Sequence, residues 1–133
     1  MGSEVPITTE TDIVVVRKKV RKVAAEVGFG PTDVTRIVTS ASELARNVVV
    51  YAGIGCMRYR VLREGTVVGI ELTFEDQGPG IADVEQAMTP GFTSGKGLGM
   101  GLSGAKRLMG ELEIRTKVGE GTTVAVRKWK GIV

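Results

Sequence analysis

The spacing of apolar residues changes after residue 48, and that change narrows the folds open to this chain. Ile13, Val16, Val20, Val23, Ala24 and Val27 recur every third or fourth position, and so do Val34, Ile37, Val38, Ala41, Leu44, Ala45 and Val48. This is the spacing of two amphipathic helices, each with one buried stripe. Further on, Val68, Ile70, Leu72 and Phe74 alternate with Gly69, Glu71, Thr73 and Glu75, the pattern of a strand with one buried face. A chain that opens with helices and continues with strands joined by short turns folds as an α+β domain.

The first helix is expected from about Asp12 to Gly28, a residue suited to the left-handed position after a helix. The second starts near Thr32 or Asp33, both good N-caps. Pro6 to Thr8 reads as a short edge strand. Met57 to Arg63 and Val67 to Glu75 flank Glu64-Gly65 as an antiparallel hairpin. A short helical stretch around Asp83 to Met88, a loop from Thr89 to Gly97 and a helix to about Met109 follow, with Leu102, Ala105 and Leu108 spaced for burial. Strands Glu111 to Val118 and Thr123 to Trp129 close the chain around Gly119-Glu120-Gly121-Thr122. The expected architecture is a two-layer sandwich, a mixed and mostly antiparallel sheet covered on one face by helices. The other face, with Glu71, Thr73 and Glu75, is polar enough to tolerate water. At 133 residues the chain is one domain, 1–133.

With 42% hydrophobic and 25% charged residues, the composition is neither disordered nor membrane-spanning. The longest apolar stretches, such as Val48 to Tyr51, fall far short of the roughly 20 residues of a spanning helix. No apolar signal core opens the chain, so a cytoplasmic location without membrane contact is expected. The single cysteine, Cys56, has no partner for an internal disulfide and reads as packing in a reducing compartment. Five cations fall in the run Arg17, Lys18, Lys19, Arg21, Lys22. They form either a solvated helix face or a docking surface for an acidic protein or nucleic acid, and no nucleic-acid motif supports the last.

Three short patterns carry chemistry. Glu43 and Asn47 lie four apart and therefore on one face of the second helix, on a stripe that includes Arg36 and Ser40. A carboxylate there orients a hydroxyl or a water, and a neutral amide oxygen completes the shell of a Mg2+ that bridges phosphates. Such pairs also recur on ordinary solvated helices. Asp76-Gln77-Gly78-Pro79-Gly80 directly follows a strand, so its carboxylate sits at the strand end, where it can accept from an exocyclic amine; the same residues also make plain tight turns. Gly97-Leu98-Gly99-Met100-Gly101 precedes a helix, whose N-terminal N–H groups suit a phosphate. It lacks the context of a dinucleotide fingerprint or a P-loop.

In this order the three patterns resemble the N, G1 and G2 boxes of the ATPase superfamily shared by DNA gyrase, the ninety-kilodalton heat-shock chaperones, histidine kinases and the MutL repair proteins. Ser42-Glu43-Leu44-Ala45-Arg46-Asn47, Tyr51-Ala52-Gly53, Glu75-Asp76-Gln77-Gly78-Pro79-Gly80-Ile81 and Lys106-Arg107-Leu108-Met109 resemble the anti-sigma-factor class of serine kinases, in particular the stressosome switch kinases. The resemblance implies a Bergerat-type ATP-binding fold with ATP and Mg2+. It makes Glu43 the general base for the substrate hydroxyl, Asn47 the Mg2+ ligand and Asp76 the residue that recognises the adenine amino group. Gly78 and Gly80 shape the adenine pocket, Gly97, Gly99 and Gly101 wrap the phosphates, and Thr122 backs the adenine contact through a water. Lys96 or Arg46 neutralises phosphate charge, although Lys96 also fits a solvated loop residue.

The same resemblance implies Ser or Thr acceptors on STAS-domain scaffold proteins, and a released kinase that activates a protein phosphatase by binding it. The sequence contains no histidine, which excludes an autophosphorylating histidine kinase and leaves Glu43 as the best-placed base. Two other classes stay open: an anti-sigma factor that acts mainly by sequestration, and a nucleotide-sensing binding module.

Overall fold

The computed structural model describes residues 3–81, 84, 88 and 101–132, with side chains to residue 130. Strand β1 (Glu4–Ile7) leads into helices α1 (Glu10–Val27) and α2 (Pro31–Asn47), and a π-helical turn (Val48–Ala52) extends α2. The hairpin β2 (Gly55–Glu64) and β3 (Val67–Asp76), helix α3 (Gly101–Met109), and strands β4 (Glu111–Lys117) and β5 (Gly121–Ile132) complete the fold. The five strands form one sheet in the order β1-β2-β3-β5-β4, antiparallel at every pairing.

Both long helices begin earlier than their apolar stripes alone suggest. The Asp12 carboxylate accepts the Thr8 and Thr9 N–H groups at 2.8 and 3.1 Å, so it ties down the entry to α1 and the helix starts at Glu10. These hydrogen bonds, the one from Thr8 first, hold the Asp12 carboxyl below its ordinary range. Helix α2 is capped by Gly30 rather than by Thr32 or Asp33, with Pro31 as its first residue. Proline suits that position because its missing N–H would have no partner there.

The alternation in β3 turns Ile70, Leu72 and Phe74 towards the helices, where they join Ile13, Val16 and Val20 of α1, Ile37, Ala41 and Leu44 of α2, and Leu102, Ala105 and Met109 of α3 in one core. The Lys128 ammonium donates to the Leu108 carbonyl at 2.8 Å, where a cation also meets the negative end of α3. Met88 donates its N–H to the Val84 carbonyl at 2.9 Å, as in a helical turn; the rest of 83–88 lies outside the described residues.

On the open face of the sheet Thr73 and Glu75 are partly exposed, as expected, but Glu71 is not. Glu71 is 7% exposed. Its two carboxylate oxygens accept from Arg60 Nε of β2 at 2.6 Å and Arg127 Nε of β5 at 2.7 Å. Sheet register puts both arginines directly beside it, and they hold its carboxyl below the usual range, Arg60 most strongly. Cys56, also on β2, is half-buried, and burial pushes its thiol up to about 11. It stays protonated near neutrality, in keeping with a packing residue.

Candidate active site

The π-turn that follows α2 meets the edge of the sheet where β3 ends and β2 and β5 begin, and this brings the loop after Asp76, together with Thr122, to the end of the helix that bears Glu43 and Asn47. On α2 the buried stripe is Val34, Ile37, Val38, Ala41, Leu44 and Ala45. Glu43 and Asn47 stand beside it, both half-buried. Their stripe does not continue as one surface: Ser40 is fully buried, whereas Arg36 is exposed and pairs with Asp33 at 3.3 Å. Immediately after Asn47 the helix widens into the π-turn, which Gly53 closes by donating its N–H to the Val48 carbonyl at 2.8 Å. Widened turns of this kind recur at functional sites. This one carries Ala52 against Gly78, where an added Cβ would lie 2.7 Å from the Ala52 methyl. Glycine at 78 therefore lets the Asp76 loop sit directly against the end of the helix that bears Asn47.

Asp76 is the last residue of β3, opposite Gly55 of β2 and Thr122 of β5. Its Oδ1 accepts the Gly78 N–H at 2.8 Å, which fixes the side chain over the turn. Among the described residues Oδ2 accepts no hydrogen bond and is open to a donor. Two further glycines form the walls of this position. Gly121, at φ +109°, has no room for a Cβ beside the Asp76 carbonyl, and a Cβ on Gly55 would lie 3.2 Å from that of Asp76.

A small polar network fastens the loop to the β4–β5 turn. Thr116 Oγ1 accepts the Ile81 N–H at 2.9 Å and donates to the Gly121 carbonyl at 3.2 Å. The Thr122 hydroxyl, 2.9 Å from Thr116 Oγ1, is then the donor of that pair, since the Thr116 proton is already committed. This leaves the lone pairs of Thr122 for a ligand or a water. Gly119 donates to the Pro79 carbonyl at 2.8 Å, and Gly80 takes φ +79° against Lys117. The sequence reading contained Asp76, Gly78, Gly80 and Thr122 but missed Thr116, Gly55 and Gly121. The symmetric placement of Thr116 and Thr122 about the final turn was the available signal.

Gly101 opens α3 at φ +64°. Lys96, Gly97 and Gly99 lie outside the described residues. Arg46 sits between α1 and α2, its Nη1 3.6 Å from Glu10 Oε1, while its buried Nε has no hydrogen-bond partner among the described residues. Among the described residues no cluster of three His, Cys, Asp or Glu could hold a metal by itself. A single amide oxygen such as that of Asn47 suits Mg2+, which takes few protein ligands and completes its shell with waters and substrate phosphates.

Residues 6–128 match the model of the histidine kinase-like ATPase domain. The chain belongs to this family. Within the histidine kinase-like ATPases it is 46% identical over 125 residues to the serine/threonine-protein kinase RsbT of Bacillus subtilis, covering 94% of each chain. It is 31% identical to an anti-sigma F factor of Thermoanaerobacter over 86% of this chain and 83% of that one. Among solved structures, the RsbU and RsbW domains of a Mycobacterium tuberculosis protein superpose with a TM-score of 0.65 at 21% identity, covering 94% of this chain and 32% of the longer one. The mycobacterial sensor histidine kinase MprB superposes with a TM-score of 0.58 at 20% identity, covering 96% of this chain and 98% of that one. These two likenesses establish the shared fold, in agreement with the ATP-binding sandwich expected from the sequence. Among the described residues no helix is long and apolar enough to cross a membrane.

Proposed function

We propose that this chain is a serine/threonine protein kinase that transfers the γ-phosphoryl group of Mg-ATP to a hydroxyl on a STAS-domain stressosome protein, and then exchanges partners to activate a protein phosphatase. The observation that carries the reading is the Asp76 carboxylate, with Oδ1 committed to Gly78 and Oδ2 without a hydrogen bond among the described residues, in the loop that packs on the π-turn after the helix that holds Glu43 and Asn47. An adenine amino group donates to Oδ2, and a water on Thr122 completes recognition of the base edge. Gly78 and Gly80 let the ring approach the backbone, and Gly97, Gly99 and Gly101 surround the phosphates ahead of α3.

Asn47 offers its amide oxygen to Mg2+, which when bound neutralises phosphate charge and orients the γ-phosphoryl group. Glu43, one turn earlier on the same face, accepts the proton of the acceptor hydroxyl as its oxygen bonds to the γ-phosphorus and the bond to the leaving ADP breaks. Arg46, within one turn of Glu43, places a positive charge beside that centre, and Lys96 adds another to the phosphates. The setting is the cytoplasm.

Glu43→Ala is expected to bind ATP within about twofold of wild type and to lose transfer by on the order of 10²-fold or more, read by intact mass of a STAS-domain protein incubated with Mg-ATP. Retained transfer removes Glu43 from its role. Similarity to anti-sigma F factors supports a second reading, sequestration of a sigma factor, and a pull-down that recovers sigma factor and no STAS protein would favour it.

A further inference from the structure

Arg46 and Asn47 flank Glu43 from opposite sides. At 3.6 residues per turn Arg46 stands roughly 60° round the helix from Glu43 on one side and Asn47 roughly 40° on the other. The Asn47 side is the nucleotide side of the proposed site, so the Arg46 side is the one from which an acceptor hydroxyl reaches Glu43. That side borders α1, where Arg46 meets Glu10 at 3.6 Å through a carboxylate that is 80% exposed. So loose and exposed a pair is easily exchanged, and the buried Arg46 Nε still lacks an acceptor.

Glu10 also begins a stripe. Val14, Arg17, Lys18 and Arg21 follow it at helical spacing on the outer face of α1, and the opposite face is spent in the core. Among the described residues none of Arg17, Lys18, Lys19, Arg21 and Lys22 pairs with a carboxylate, whereas Arg58, Arg60, Arg115 and Arg127 on the sheet all do. Val14 and Val15 stand 48% and 46% exposed among these cations.

We propose that this edge is the dock for the protein substrate: an acidic segment of the phosphoacceptor protein lies along the α1 stripe, and its carboxylate nearest the acceptor hydroxyl takes the place of Glu10 on Arg46. Glu10 thus stands in for the substrate carboxylate in the free kinase. The inference rests on the kinase reading above. A protein fits better than nucleic acid because the two valines offer apolar area that a phosphate backbone does not use, and the stripe has no aromatic ring on which a base could stack. A bilayer finds only two exposed valines here, too little for an interfacial helix, since the continuous apolar stripe of α1 is already buried.

The test is steady-state transfer from Mg-ATP to a purified STAS-domain stressosome scaffold protein, with ATP affinity measured alongside. Arg17→Glu/Arg21→Glu is expected to raise KM for the protein about tenfold or more, in a salt-dependent way, with kcat and ATP affinity within about twofold. Glu10→Gln removes the competing carboxylate and lowers KM about two- to threefold, Arg46→Gln raises it about tenfold, and Arg46→Lys restores part of that. An unchanged KM in the double variant, with wild-type transfer intact, overturns the dock alone. A wild type that binds ATP yet transfers to no STAS-domain protein overturns the kinase reading, and the dock with it.

Discussion

Asp76→Asn isolates the chemistry of the proposed adenine contact from the architecture around it. The substitution is nearly isosteric, and the amide oxygen can still accept the Gly78 N–H that Oδ1 accepts at 2.8 Å. That bond fixes the orientation of the amide, because reversing it would set NH2 against a backbone donor. The NH2 group therefore replaces Oδ2, the oxygen open to a ligand. A donor then faces the adenine amine, so a charge-assisted hydrogen bond worth about 1.5–3 kcal/mol is lost and a donor–donor contact takes its place. The expected cost to ATP binding is about 2–3 kcal/mol, or roughly 30- to 150-fold in Kd. The fold should lose no more than about 0.5 kcal/mol, since the turn keeps its bond and no apolar contact changes. Isothermal titration with ATP in Mg2+ buffer and urea unfolding of both proteins make the comparison. An ATP affinity within twofold of wild type at unchanged stability would refute this account of Asp76.

Two further outcomes follow from the sheet. Glu71→Gln should destabilise the domain by about 1–2 kcal/mol, the buried-pair value discounted because Arg60 is 68% exposed. Because the folded Glu71 carboxyl is held below its ordinary value, its contribution is complete above the unfolded value of about 4.3 and lost as pH falls through the folded one. The gap between wild-type and variant urea midpoints should therefore close in acid, and a gap that persists there rules out the ion pair as its source. Gly121→Ala places a side chain at φ +109° and against the Asp76 carbonyl. It should cost about 1–3 kcal/mol of stability and weaken ATP binding, and a variant with wild-type melting and affinity would show that this wall is not needed.

Much of the fold was legible because it is written in local periods. The stripe from Ile13 to Val27, that from Val34 to Val48, and the alternation of Val68 to Phe74 give each element and its buried face without reference to any other. The candidate site was legible in part for a similar reason: Glu43 and Asn47 share a helix face, and Asp76-Gln77-Gly78-Pro79-Gly80 follows a strand. The Gly30 cap of α2 escaped because Thr32 and Asp33 offer good caps of their own, and only the geometry of the entry to Pro31 chooses between them.

Other features depend on residues far apart in the chain. Glu71 reads as an outward, hydrated position until register sets Arg60 and Arg127 on either side of it. The glycines packed against Asp76 require β3 to end where β2 and β5 begin, and the link from Thr116 to Ile81 spans 35 residues. By itself, then, the sequence determined two amphipathic helices, a hairpin and three short motifs, since each depends on spacing within a few residues. Tertiary structure alone decided that Asp76 keeps one oxygen free of hydrogen bonds among the described residues, with glycines packed against its backbone, and that Arg46 meets Glu10 across the helix pair. Both depend on which distant backbones are brought within a few ångströms of each other, and no local period encodes that.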